Sequence, residues 1–196
     1  MLAISIQAGG QSKRMGQNKA LMSFQGIPLI QRIKNRVTPA AEEIIVIANE
    51  AADYHFLELP VYPDQIPGSG VIGGLLTSFY RITKPFVAPI GCDLPFISTL
   101  LLEEELRIIL ESGADIVIPQ SEKGLEPLCA IYRKDTCLPW IEKAISRGDR
   151  RIVSWFGQVK VKVLSPPEVQ QIDPNPYIFL NINNPEDFKQ ALELAA

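Results

Sequence analysis

The sequence predicts an α/β protein of three layers, a mostly parallel sheet with helices on both faces and a mixed part toward the C-terminus. Three observations carry this. Short runs rich in β-branched residues alternate with amphipathic stretches through the first two thirds of the chain, the pattern of right-handed strand–helix–strand units. The run "EEIIVIAN" holds four consecutive strand formers, Ile44 to Ile47, as a strand covered on both faces does. The chain has 196 residues, 46% hydrophobic and 21% charged, which suits one soluble domain, because a single core serves chains up to about 250 residues.

"LAISIQ" (2–7) is a short apolar run stopped by Gly9-Gly10, hence a first strand. "PLIQRIKNRV" (28–37) places Leu29, Ile30, Ile33 and Val37 on one helical face, with Pro28 suited to the first turn and Thr38-Pro39 ending the helix. "EEIIVIAN" (42–49) is the second strand and "LPVYPD" (59–64) a short third. "VIGGLLTSFYRI" (71–82) carries an apolar helical stripe, and "PFVAPIGCD" (85–93) is another strand, whose Pro89 argues against a central, fully hydrogen-bonded position. "STLLLEEELRIILES" (98–112) reads as helix and "ADIVIPQ" (114–120) as strand. Beyond that the alternation breaks: "PLCAIYR" (127–133) and "VKVKVL" (159–164) are strand-like around the helical "TCLPWIEKAIS" (136–146). "SPPEVQQIDPNP" (165–176) reads as a surface loop, "YIFLNIN" (177–183) as a strand and "PEDFKQALELA" (185–195) as the last helix.

Composition excludes several classes. "FVAPIG" and "TLLLEEELRIIL" are too short or too charged for the about 20 apolar residues that span a bilayer, so no membrane partner is expected. "MLAISIQAGG" lacks the basic region and cleavage site of a signal peptide, which makes the cytoplasm the expected location. Cys92, Cys129 and Cys137 are odd in number with no C-x-x-C spacing, and read as reduced thiols. A net charge of -3 argues against a nucleic-acid partner. Cations matter here where they cluster: Lys13, Arg14 and Lys19 in one loop, and Arg147, Arg150 and Arg151 in "SRGDRR".

The first cluster lies in "QAGGQSKRMGQNKAL" (7–21), immediately after the first strand. Ligands of open parallel sheets bind at the carboxyl ends of the strands. Glycines there let backbone N–H groups converge on phosphate oxygens, and the three cations add charge. It is not a Walker A loop, since Gly10 and Gly16 enclose five residues and Gln17-Asn18 follows; nor does it contain G-x-G-x-x-G. The same composition also suits a plain turn with solvated cations. Asp93 in "GCDLPF" falls at another carboxyl end, where a single carboxylate can hold magnesium together with substrate phosphates, or merely stabilise a turn before Pro95. Asp64 in "YPDQIPGSG" has the same two readings.

"AGGQSKRMGQNKAL" resembles the A-G-G-x-S-x-R-M-G-x-D-K-A-L signature of molybdenum cofactor guanylyltransferases, and "YPD", "GCDLPF", "EPLCAIYR", "GDRR" and "NINNPEDF" follow in the order that family shows them. The resemblance implies a nucleotide-diphospho-sugar-transferase-like fold in one domain, 1–196, with a nucleotide-binding half (1–97) and an acceptor-binding half (98–196). It implies transfer of GMP from GTP to molybdopterin, with Mg2+ as cofactor and molybdoenzyme clients or other cofactor-biosynthesis proteins as further partners. By position, Gln7, Ala8, Gly9 and Gly10 line the nucleotide, Asn49 contacts it, Lys19 its phosphates and Asp64 its guanosine, while Asp93 binds metal and nucleotide. Asn181 and Asn183 fall near the pterin. Arg14, Lys19 and Asp93 are then the catalytic set, and Arg150 and Arg151 are candidates for the acceptor's anionic end, although a solvated basic turn explains them too.

In that reaction the acceptor phosphate attacks the α-phosphorus and pyrophosphate leaves. The nucleophile is already anionic, so no general base is needed, in keeping with the only histidine, His55, lying in no Ser/His/Asp setting. Asn18 stands where the family carries Asp, and Gln7 where Leu is common. Asn184 to Asp187 are explained by helix capping alone. Two other functions share these motifs: a cytidylyl or sugar-phosphate nucleotidyltransferase, and a non-catalytic nucleotide-binding adapter that delivers the cofactor.

Overall fold

The computed structural model describes residues 1–9 and 18–195. β1 (Leu2–Gln7) is buried except at its last residue, and its side chains alternate as a strand between two layers requires: Leu2, Ile4 and Ile6 enter one core, Ala3 the other. The hairpin β2 (Ser23–Phe24) and β3 (Ile27–Pro28) turns on Gln25 and Gly26, both at positive φ, and leads into α1 (Leu29–Val37). β4 (Glu43–Ile47), β5 (Val61–Tyr62), α2 (Val71–Arg81) and β6 (Phe86–Gly91) follow. α3 (Thr99–Ser112) starts at Ser98, whose hydroxyl accepts from Leu101 N–H at 3.1 Å, and stops at Gly113, φ 62°. β7 (Ile116–Ser121) folds back through β8 (Gly124–Leu125). β9 (Ile131–Arg133), α4 (Lys134–Ser146), β10 (Val161–Leu164), α5 (Pro166–Ile172) and α6 (Pro185–Leu194) complete the chain.

The strands lie in the order β10, β7, β9, β6, β1, β4, β5, with β8 on β7. β6, β1, β4 and β5 are mutually parallel; β9 is antiparallel to both neighbours and β10 parallel to β7. The predicted sheet, parallel first and mixed later, is the one observed. α1, α3, α5 and α6 cover one face, and α2 and α4 the other, together with the 3-10 segment Ile152–Gln158.

Four expectations are corrected. Residues 165–176 are not all loop, because α5 occupies Pro166–Ile172. Its start is fixed by Ser165, whose N–H and Oγ both donate to Glu168 Oε2 at 2.7 and 2.6 Å, with proline in the first turn. Residues 177–183 form no strand. Their backbone groups are taken by other partners: Leu180 N–H by Tyr177 O, Ile182 N–H by Asp93 O and Asn183 N–H by Asp187 Oδ2. Pro89 does lie in a central strand. β6 is paired along its whole length with β1 but with β9 only at Phe86 and Val87, so on that side the ladder has ended before the proline. Pro28, placed by the sequence in the first turn of α1, instead caps it.

Candidate active site

Four parallel strands end on one edge of the sheet, and the loops leaving them carry the candidate residues: Ala8 and Gly9 after β1, Asn49 after β4, Asp64 after β5 and Asp93 after β6. The ladder extends one residue into these loops, with Ala8 N–H on Ile47 O, Ala48 N–H on Tyr62 O and Cys92 N–H on Gln7 O at 2.8 to 3.2 Å. That ties the four loops to a rigid frame. Gly10 and Arg14, with Lys13, lie outside the described residues.

Lys19 and Asp93, far apart in sequence, meet. Lys19 Nζ is 2.7 Å from Asp93 Oδ2 and donates to Ile182 O at 2.9 Å, while Ile182 N–H donates to Asp93 O at 3.0 Å. The segment containing Asn181 and Asn183 is thereby pinned to both charged residues. Their side chains keep 15% and 21% of their surface exposed, enough for a ligand to reach them. Asp93 Oδ1 lies over Gly91, only 2.5 Å from where a Cβ would stand there. Gly91 is thus required for the carboxylate to occupy this place.

Gln7 points to the opposite face from Ile6. Its Nε2 donates to Ser5 Oγ at 3.0 Å and Ser78 Oγ at 2.9 Å, and a Cβ on Gly74 would collide with its Oε1. Gly74 therefore lets α2 approach β1. Beside it, Asp64 Oδ1 is buried with no hydrogen-bond partner among the described residues, and burial raises its carboxyl above the ordinary value. Asp64 N–H donates to Asn49 Oδ1 at 3.4 Å, and its Oδ2 lies 3.5 Å from the Cβ position of Gly9, so Gly9, Asn49 and Asp64 are one cluster. Asn18 caps the turn Lys19–Leu21 through Ala20 N–H at 3.1 Å and donates to Tyr54 OH at 3.0 Å. The amide thus serves as both acceptor and donor, and Lys19 is oriented by Asp93 and Ile182 rather than by residue 18.

Asn181 Nδ2 donates to Phe179 O at 3.3 Å, and Asn183 is exposed beside Ile182. Asn184 caps α6, accepting from Asp187 N–H at 2.8 Å. Arg150 and Arg151 are exposed after α4 and make no ion pair or hydrogen bond with Lys19, Asp64 or Asp93 among the described residues. Arg147 pairs with Asp149 across Gly148.

Two participants were not predicted. Glu126 is half-buried, with Oε1 accepting from Ser121 Oγ at 2.6 Å; burial raises its carboxyl, and the charge of Asp93 adds to this. Its sequence signal, an acid opening "EPLCAIYR", was visible. The main-chain carbonyl of Ile182 has no sequence signal at all. All three cysteines are buried; burial, then Asp93, pushes Cys92 up to about 12, and burial does the same to Cys137, which disfavours their thiolates.

Among the described residues no three His, Cys, Asp or Glu side chains gather into a metal cage. The carboxylate of Asp93, still reachable from solvent at its strand end, is of the kind that a hard cation shares with substrate phosphates and water. Magnesium fits that chemistry.

Residues 4–163 match the family model described as "MobA-like NTP transferase domain". The chain is 35% identical over 195 residues to the "Probable molybdenum cofactor guanylyltransferase" of Carboxydothermus hydrogenoformans, covering 98% of this chain and 96% of that one. It is 28% identical over 187 residues to the "Molybdenum cofactor guanylyltransferase" of Desulfosudis oleivorans, covering 95% and 92%. Among solved structures, molybdopterin-guanine dinucleotide biosynthesis protein A from Archaeoglobus fulgidus superposes with a TM-score of 0.85 at 24% identity over 98% of both chains, which shows the shared fold. An edge built from Gly9, Lys19, Asp64 and Asp93 on this sheet, with full-length sequence similarity, has one conclusion: the chain is a nucleotidyltransferase and belongs to the molybdenum cofactor guanylyltransferases of the MobA-like NTP transferase family.

Proposed function

We propose that this chain transfers GMP from GTP to molybdopterin, forming the guanine dinucleotide and pyrophosphate. The observation that supports the reading is the contact of Lys19 with Asp93 and Ile182, which brings side by side a cation suited to phosphate and a carboxylate suited to a metal ion. In the nucleotide half, 1–97, Gln7, Ala8, Gly9, Gly10 and Asn49 line the nucleotide, and Asp64 Oδ1 offers its unpartnered acceptor to a nucleoside N–H. In the acceptor half, 98–196, Asn181 and Asn183 flank the carbonyl that holds Lys19, and Arg150 and Arg151 meet an anionic part of the acceptor.

Two polyanions must approach each other, so alignment and charge neutralisation are what these residues provide. Lys19 leaves Asp93 for a phosphate oxygen, with the Ile182 carbonyl steering its ammonium. Arg14 adds charge at the leaving pyrophosphate. Asp93 would hold magnesium, which when bound would supply charge neutralisation at the phosphate oxygens. Protein, GTP and acceptor would meet in the cytoplasm; among the described residues no helix is long and apolar enough to cross a membrane.

The test is pyrophosphate release by purified protein with GTP, Mg2+ and molybdopterin, with CTP and sugar phosphates as competing donor and acceptors. Release that needs GTP and molybdopterin together supports the reading. GTP binding without release would point to the adapter function.

A further inference from the structure

Beside the active-site edge lies a cleft of about 390 Å³ between the β7–β8 turn, α5 and residues 174–180. Chain direction sets its place. β7 and β6 are both antiparallel to β9, hence parallel to each other, so Gln120 and Ser121 stand at the edge that carries Asp93. Leu180, in the opposite wall, is two residues from Ile182, a chain span of at most about 7 Å. Ile182 bonds both Lys19 and Asp93. The turn is held open rigidly: Ser121 Oγ donates to Glu126 Oε1, and Lys123 N–H donates to Ser121 Oγ at 3.0 Å. The far wall is rigid too, since Asp173 accepts from Ser98 Oγ at 2.5 Å and from Asn175 N–H at 3.0 Å.

The lining selects a chemistry. Phe179, Pro174 and Pro176 offer flat apolar surface. Gln120, Glu122 and Gln170 are exposed, and their side chains make no hydrogen bond among the described residues. Glu122 and Asp173 oppose one cation, Lys123, so the rim repels a phosphate and favours N–H donors. A volume near the lower end of small-molecule sites, about 300–1,000 Å³, suits a single fused ring system.

We propose that this cleft takes the fused-ring end of the acceptor, a flat heterocycle edged with amide and amine N–H groups, while the acceptor's phosphate lies at Lys19 and Asp93. The assignment rests on the acceptor proposed above and locates its ring away from Arg150 and Arg151. The exposed amides of Gln120 and Gln170 and the Glu122 carboxylate then read the ring edge, and Phe179 supports its face.

Gln170→Trp, a change at an exposed position of α5, should fill the cleft, and Phe179→Ala should remove its apolar support. Each is expected to raise the KM for molybdopterin at least about tenfold while the calorimetric affinity for Mg·GTP stays unchanged. A phosphate-free probe, 6-hydroxymethylpterin followed by its fluorescence anisotropy, separates ring from phosphate recognition. Its binding should persist under saturating Mg·GTP, which shares its aminopyrimidinone edge, and be lost in Gln170→Trp. Displacement of the pterin by Mg·GTP, or an acceptor KM within twofold of the parent in both folded variants, overturns the proposal. Should Gln170→Trp fail to fold by circular dichroism, Phe179→Ala decides alone. Absence of GTP binding would strike the nucleotide reading instead, and the pterin titration would still decide this one.

Discussion

Replacing Gly91 by alanine should disable the site without harming the fold. Gly91 ends β6 at a φ outside the left-handed region, so alanine is allowed by the backbone. Its new Cβ would stand 2.5 Å from Asp93 Oδ1 and 3.6 Å from Leu128 Cδ1. The leucine contact is ordinary, but the carboxylate must withdraw by about 0.9 Å to reach normal van der Waals distance. That rotation pulls Oδ2 off Lys19 Nζ, now 2.7 Å away, and moves the metal-binding group. A misplacement near 1 Å costs about a hundredfold in rate, or about 2.7 kcal/mol of barrier. Stability should hold, because the change from glycine removes unfolded-chain entropy worth about 0.4–1 kcal/mol, offsetting the local shift. Steady-state pyrophosphate release should therefore show kcat down about a hundredfold, with the calorimetric Tm at or near the parent value. A kcat within threefold of the parent at unchanged Tm would refute the argument that the position of Asp93 controls turnover.

Lys19→Ala and Asp93→Ala should each lose about a hundredfold or more in kcat while remaining folded, since one preorganised charge is worth about 3 kcal/mol; near-normal turnover would remove their roles. Gly74→Ala drives a methyl into Gln7 Oε1 and breaks the bonds from Gln7 to Ser5 and Ser78; at about 1 kcal/mol per bond the KM for GTP should rise by up to about thirtyfold, and an unchanged KM would show that Gln7 is not part of the nucleotide wall. Glu105 in α3 is fully buried, neither carboxylate oxygen has a partner among the described residues, and burial raises its carboxyl well above the ordinary value. The folded state therefore holds a proton the unfolded chain releases, so stability is fullest below the unfolded value near 4.5 and is lost as pH rises toward the folded one. Relative to Glu105→Met, the parent should lose stability as pH rises above the unfolded value, by up to about 1.4 kcal/mol per pH unit in urea denaturation, and parallel curves would contradict it.

The candidate site was legible where local chemistry and chain direction coincide. Gly9, Asp64 and Asp93 each follow a run of β-branched residues, and in a parallel sheet every such run ends on the same side. Reading three strand ends was enough to gather residues 84 positions apart. Where a segment's backbone groups find partners far away, the local pattern misled. "YIFLNIN" has strand formers in strand order, yet Asp93 and Asp187 take the amides of Ile182 and Asn183 that a ladder would have used. In "SPPEVQQI" the prolines suggest a loop, but Ser165 and Glu168 stand at capping-box spacing, and the capping box starts a helix.

The amino-acid pattern by itself determined the layers, the parallel first half, the glycine- and cation-bearing loop and the acids at the strand ends, because each follows from periodicity, turn chemistry and spacing within a few residues. Only the tertiary structure decided that Lys19 rests between Asp93 and the Ile182 carbonyl, that Gly91 and Gly74 are needed to make room for Asp93 and Gln7, and that a second cleft opens next to them. Those facts arise from close approach between segments as distant as residues 19 and 182, and side-chain clearance over such a separation has no trace in any local stretch of sequence.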